Sequence, residues 1–248
     1  MTLVLTVDWS HSSTTVTVVD IAARSTVAQG RALHTGSTSQ AELTESWWSA
    51  LLDATHTALD GLAVLNLTTD DIRLLELTTS EPVGGLVTFD RDGAVSAALS
   101  SNHSESQADA DWLLSQLPDG AEGWLALTGV LPTAGSTIAL LSWLHRTSPD
   151  AWSSMHTITL PIGFLAARLG GAPAVNPRCA IGTASVERET EQWCMSLFEL
   201  VDPTVDWSSV LPPLTSAATP IGMLSVAAAE ALGLPAGRPL HAGHITDH

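Results

Sequence analysis

Two runs of β-branched and apolar residues, Leu3–Val7 and Thr14–Val19, flank a short polar turn that begins with Asp8. A third alternating run, Val27–Leu33, follows the break at Ala23-Arg24-Ser25. Short β-rich runs split by turn residues predict consecutive antiparallel strands. The first run is apolar at nearly every position, the pattern of a central strand buried on both faces. A carboxylate at its end, followed by small residues, would point into a crevice at the sheet edge. The rest of the chain is read as packing around this meander.

With 248 residues the chain suits one large or two small domains and can bury a substantial core. An apolar fraction of 45% against 14% charged residues excludes a disordered chain. All nine basic residues are arginines, and 26 acids bring the net charge to −17. That balance argues against a nucleic-acid or anionic-membrane partner. A phosphate site would have to use backbone N–H groups, a metal ion or a partner, because the chain has no lysine. Cys179 and Cys194 have no CxxC or Cys/His spacing and are expected as a reduced pair. The N-terminus shows no basic n-region and no long apolar segment. The expectation is therefore a cytoplasmic protein without a membrane span.

Helical spacing of Trp47, Trp48, Leu51, Leu52, Ala54, Thr55, Ala58 and Leu59 predicts a helix over 40–60. Asp71–Thr78 alternates as a strand, and Leu86–Phe89 with Ala94–Leu99 forms a hairpin across Asp90-Arg91-Asp92-Gly93. The helix then crosses between the third and fourth strands of a mixed sheet. Further helices are predicted within 104–117 and over 137–146, from 148 to 152, over Pro161–Leu169, around 193–200 and over 223–232. Thr157–Leu160 reads as a strand, and the stretches to Gly135 and from Pro203 to Pro220 as irregular connectors. No clean domain boundary is visible.

The order of these pieces resembles the N-terminal half of the FGGY carbohydrate kinases, those of the xylulose kinase type above all, which belong to the actin-like, ribonuclease-H-like ATPases. Val7-Asp8-Trp9-Ser10-His11-Ser12-Ser13-Thr14-Thr15 sits where the family has an Asp-x-Gly-Thr-Ser-x-x-Lys phosphate turn. Glu45-Ser46-Trp47-Trp48 resembles its Trp-Trp helix, and Glu81–Val87 its Gly-Gln-Met-His-Gly-Leu-Val segment. Leu99–His103 falls on Leu-Trp-Asn-Asp, Leu127-Thr128-Gly129 on the family's Thr-Gly, and Leu140–Leu144 on Lys-Leu-Leu-Trp. Thr159–Leu165 is similar to Leu-Leu-Pro-Lys-Asp-Tyr-Leu. Ala180-Ile181-Gly182-Thr183 matches the Ala-Ser-Gly-Thr after the catalytic aspartate, and 232–243 the run before Gly-Asp-Asn. The segments are weak singly and persuasive in their collinearity.

The resemblance implies a single α/β domain over 1–248 of the actin-like ATPase (ribonuclease H-like) class, with a mixed sheet flanked by helices. It implies ATP-dependent phosphorylation of a ketose, with ATP and Mg²⁺ as co-substrate and ion. Departures fall on the chemistry. Cys179 stands at the catalytic aspartate, Gly84 at a sugar-contacting histidine, His103 at the aspartate of Trp-Asn-Asp and Thr15 at the turn lysine. By this register the chain stops at His248, where the second, nucleotide-binding domain of the family would begin.

Each site residue carries two readings. Asp8 lies near metal and transferring phosphate in the family, or caps the turn as a strand-end carboxylate. His11 faces a ligand or solvent. Ser12 and Ser13 offer donors to phosphate or form a plain polar turn. Asn102 is the unchanged sugar contact or an exposed loop residue, and His103 a replacement acid/base or none. Cys179 is a nucleophile or an inert buried thiol, while Gly182 and Thr183 shape a turn. The tryptophans pack in helical stripes, except that Trp124 and Trp207 fall in irregular stretches and suit a surface role. His241, His244, Asp247 and His248 invite a metal reading or form a polar terminus. The implied protein is a xylulokinase-like chain with little or no kinase activity by itself. The alternatives are a non-catalytic sugar-binding or protein-docking pseudokinase, and one half of a split kinase with a separately encoded C-terminal domain. A small-molecule sugar is the implied ligand, and a homodimer is a further possible partner state.

Overall fold

A computed structural model describes residues 2–36, 39–79 and 84–243. The chain runs β1 (Leu3–Trp9), β2 (Ser13–Asp20), β3 (Ser25–Leu33), α1 (Gln40–Val64), β4 (Ile72–Thr78), β5 (Leu86–Phe89) and β6 (Val95–Leu99). Then come α2 (Gln107–Ser115), α3 (Gly120–Thr128), α4 (Thr137–Thr147), α5 (Pro149–Ser154), β7 (Thr157–Thr159) and α6 (Pro161–Leu169). The last elements are α7 (Met195–Val201), α8 (Trp207–Val210), β8 (Pro220–Met223), α9 (Val226–Leu232) and β9 (Pro239–Ala242). They group into two compact units, one of Met1–Ser80, Ile162–Asn176 and Thr215–His248, the other of Glu81–Pro161 and Pro177–Leu214.

The first unit holds a six-stranded mixed sheet in the order β3-β2-β1-β4-β9-β8. β1 pairs antiparallel with β2 and parallel with β4, so the opening strand lies inside the sheet as its apolar run requires. Its two faces differ. Leu3, Leu5, Val7 and Trp9 are buried on one, whereas Thr6 and Asp8 on the other are only half-buried. Val4 on that second face is buried as well, so the expectation of burial on both faces holds at the start of the strand and fails at Thr6 and Asp8. α1 crosses between β3 and β4 and packs on β2 and β3. It can approach closely because position 30 is glycine: a Cβ there would lie 2.1 Å from the Ala54 carbonyl oxygen. Trp47 stands edge-on to both Trp9 and Phe164 in the core beside it. Glu45 pairs with Arg168 through both carboxylate oxygens, and the Arg168 guanidinium lies 4.6 Å over Trp48, which ties α1 to α6.

The second unit holds a separate antiparallel sheet, β6-β5-β7. The predicted hairpin is present, but it belongs to this sheet instead of extending the first. Its core gathers Leu86, Leu113, Trp124, Ile138 and Phe198. Arg146 grips the nearly buried Asp109 through Nε (3.3 Å) and Nη2 (2.8 Å), and the Ser142 hydroxyl donates to the same carboxylate, joining α2 to α4. Two sequence readings are corrected here. The stretch before Gly135 contains α3, and Trp124 on it is fully buried with its indole N–H donated to Ala184 O at 2.9 Å. Trp207 is likewise buried, within the ring contacts Trp152–Trp207 and Phe198–Trp207. Neither has a surface role. Among the described residues no helix is long and apolar enough to cross a membrane.

Candidate functional site

In the first unit Asp8, Ser12 and Ser13 are gathered at one sheet edge by the β1–β2 register, which pairs Asp8 with Thr15. Ser10 organises the turn. Its N–H donates to Ser13 O (2.9 Å), and its hydroxyl donates to the same oxygen (3.0 Å). That hydroxyl also accepts from the amides of Ser13 (3.2 Å) and Ser12 (3.5 Å). The amides that make such a turn an anion cradle are thus turned onto a side chain of the turn itself. Asp8 is half-buried, and Ser12 and His11 are exposed at the tip. On the far side of the turn His34 stacks on Trp9 with ring centroids 5.5 Å apart, and its Nε2 meets the Thr14 hydroxyl at 2.9 Å. Burial pushes its imidazole from the usual 6.5 down to about 4, with the His11 backbone acting in the opposite sense. The buried Trp9 Nε1 has no hydrogen-bond partner among the described residues.

Sequence reasoning missed Arg31. The β2–β3 register sets it directly opposite Thr15, and its Nε donates to the Ser13 hydroxyl at 3.2 Å. Strand spacing alone does not give it: pairing outward from Asp20–Ser25 would align 15 with 30, and the register shift between Val18 and Val19 moves the partner to 31.

In the second unit the structure brings Gly84 and the Ser101–His103 loop together through Gly135. A Cβ on Gly84 would lie 2.0 Å from Gly135 O, and one on Gly135 would lie 1.9 Å from Ser101 O. The Gly85 amide donates to Gly135 O at 3.0 Å. Position 84 therefore has no room for any side chain, and the backbone of Gly135 fills the place where the resembled family carries histidine. Asn102 is exposed, and its own amide donates to the Ser100 hydroxyl at 3.2 Å. His103 is half-buried in an edge-on contact with Trp143 (4.3 Å), with Nε2 3.9 Å from a Glu105 carboxylate oxygen.

Cys179 begins the 3₁₀ turn Cys179–Thr183 and is 1% exposed. Thr183 donates its hydroxyl to Ala180 O (2.6 Å) and receives the Ser185 amide and hydroxyl, so Gly182 and Thr183 shape the turn as expected. A cavity of about 90 Å³ beside this turn is lined in part by Arg178, Ile181, Glu187, Arg188 and Glu191, but not by Cys179. Cys194, also buried and joined to no disulfide, sits at the residue before α7 with its thiol 3.4 Å from the Ser196 hydroxyl; burial pushes that thiol up.

A metal reading of the C-terminal histidines gains no support: His241 faces Ala217 O through Nδ1 at 2.8 Å, and His244, Asp247 and His248 lie outside the described residues. So do Glu81, Pro82 and Val83 of the resembled segment. Among the described residues no group of three or more His, Cys, Asp or Glu could hold a metal ion. For ATP and Mg²⁺ the fit is partial. Asp8 supplies one hard oxygen donor of the kind Mg²⁺ takes alongside waters and phosphate, while the turn amides are committed to Ser10.

Comparison with known proteins sets these pieces in context. The chain is 31% identical over 198 residues to the xylulose kinase of Streptomyces coelicolor, a match covering 77% of this chain and 38% of that protein. It is 30% identical over 165 residues to the autoinducer-2 kinase of Klebsiella pneumoniae, covering 64% of this chain and 29% of that one. The crystal structure of xylulose kinase from Rhodospirillum rubrum superposes with a TM-score of 0.79 at 20% identity, covering 97% of this chain and 49% of that chain. The shared fold is the actin-like ATPase fold, a mixed sheet flanked by helices, and this chain spans about half or less of the length of these three relatives. Residues 3–247 match the FGGY family of carbohydrate kinases, N-terminal domain, and the chain belongs to that family.

Proposed function

We propose that this chain is the sugar-recognising part of a xylulose-kinase-like FGGY protein, working on a ketose, with ATP and Mg²⁺ as the partners of the family reaction. We further propose that the chain as given transfers phosphate poorly. The observation that carries the second statement is Cys179, a buried thiol where the resemblance sets the general base. In phosphoryl transfer to an alcohol, a positioned carboxylate accepts the hydroxyl proton as the oxygen attacks. A thiol ordinarily ionises near pH 8.5 and exists mainly as the protonated form at neutral pH. With its proton in place the sulfur is too weak a base to accept the hydroxyl proton. The Ala-x-Gly-Thr turn after it is intact, so the scaffold around the position is retained while the base is replaced. A reduced thiol pair agrees with a cytoplasmic setting.

The test is D-xylulose-dependent ADP release from Mg-ATP by the purified chain and by Cys179→Asp, each checked for folding by its melting curve. The reading expects a rate near background in the chain as given and a gain of at least tenfold in a folded C179D. Equal and substantial turnover by both would overturn it.

A further inference from the structure

We infer that Arg31, on β3, is the anion-binding residue of the β1–β2 edge, and that the ligand group it takes is a phosphate or polyphosphate. The inference rests on the kinase reading for the identity of that group and on the structure for the residue. Ser10 accepts the Ser12 and Ser13 amides and gives its proton to Ser13 O, which uses the donor and both acceptor sites of one hydroxyl. The turn's backbone therefore has little left for an anion, and a charge must come from a side chain. Thr15 carries none. Arg31 lies directly across from it on the next strand, on the face that Asp8 and Thr15 share.

The Arg31 Nε is pinned to the Ser13 hydroxyl at 3.2 Å, which points the guanidinium along the turn. Its two terminal nitrogens make no hydrogen bond or ion pair among the described residues, and the residue is exposed. A fork anchored at one nitrogen and open at two matches the bidentate geometry that phosphate oxygens accept. Ser12, exposed at the tip, adds a hydroxyl. Asp8 and Arg31 sit two strands apart on one face, about 10 Å between backbones. Of the other arginines of this unit, Arg168 pairs with Glu45 and Arg238 with the Asp70 carbonyl, while Arg24 and Arg73 lie at the strand ends away from this turn.

The test is calorimetric titration of inorganic pyrophosphate, with and without Mg²⁺, into the full chain and into Arg31→Gln, Arg31→Lys and Arg24→Gln. Arg24 is exposed on the β2–β3 turn at the opposite end of β2 and controls for net charge. The inference expects R31Q to weaken binding at least tenfold, R31K to keep part of the affinity, and R24Q to change it less than twofold. Equal losses in R31Q and R24Q, unchanged binding in R31Q, or no binding by the chain as given at 10 mM pyrophosphate would each overturn it. A parallel D-xylulose titration separates the two readings. Sugar binding with R31Q-insensitive pyrophosphate removes the arginine and keeps the kinase reading; Arg31-dependent pyrophosphate binding without any sugar response does the reverse.

Discussion

His34 provides a pH-dependent stability that can be isolated from every other titrating group. Its ring is stacked on Trp9, bonded through Nε2 to Thr14, and driven by burial from 6.5 to about 4. A depressed histidine pKa means that the unfolded chain takes up the proton first as pH falls. The contribution is thus fully present above about pH 6.5, declines between there and about pH 4, and changes no further below. The full shift corresponds to about 3 kcal/mol at 1.36 kcal/mol per unit. Because the ring is only partly buried, solvent screening reduces the expected value to about 2 kcal/mol. The perturbation is His34→Phe, which keeps a flat ring on Trp9 and removes the titration. Urea denaturation followed at the β1 and β2 amide signals, at pH 7.5 and 4.5, gives the difference between the two proteins. Carboxylates titrate in both and cancel. The chain as given should lose about 2 kcal/mol more than H34F, and the His34 imidazole signal should titrate near pH 4. A midpoint between 6 and 7, or parallel stability profiles, would refute the assignment of burial as the dominant cause.

Two packing predictions follow from the second unit. Gly135→Ala drives a methyl to within 1.9 Å of Ser101 O, and the two backbones must separate; thermal melting should register a loss of about 3 kcal/mol, and the Asn102 amide signal should shift. Trp124→Phe deletes both volume and the bond to Ala184 O, so about 3 kcal/mol should be lost with no new transition in the first unit's amide signals.

Much of the first unit could be read from residue order, because its strands obey simple alternation and its turns carry their own signals. β1 and β2, and in the second unit the Asp90–Gly93 hairpin, are local features, and α6 runs from Pro161 to Leu169 as expected. What escaped was non-local. β8 and β9 are four residues each, too short for periodicity, and exist because β4 offers β9 an open parallel edge. α3 was hidden by Gly120 and Gly123, which weaken helical propensity while Trp124 and Thr128 anchor it by burial. At the candidate site the residue identities were legible but their relations were not. Gly84 was read as a lost side chain, whereas its cause is the Gly135 carbonyl packed against it. Arg31 was unremarkable in sequence and becomes significant only through the rung it shares with Thr15.

Sugar recognition is the claim on which the functional account stands, and calorimetric titration of D-xylulose into the full chain tests it most directly. Saturable binding of one sugar per chain, weakened about tenfold by Asn102→Ala through loss of a ligand hydrogen bond, is the predicted result. Absence of any binding heat at millimolar sugar, or binding of equal strength in N102A, would contradict it.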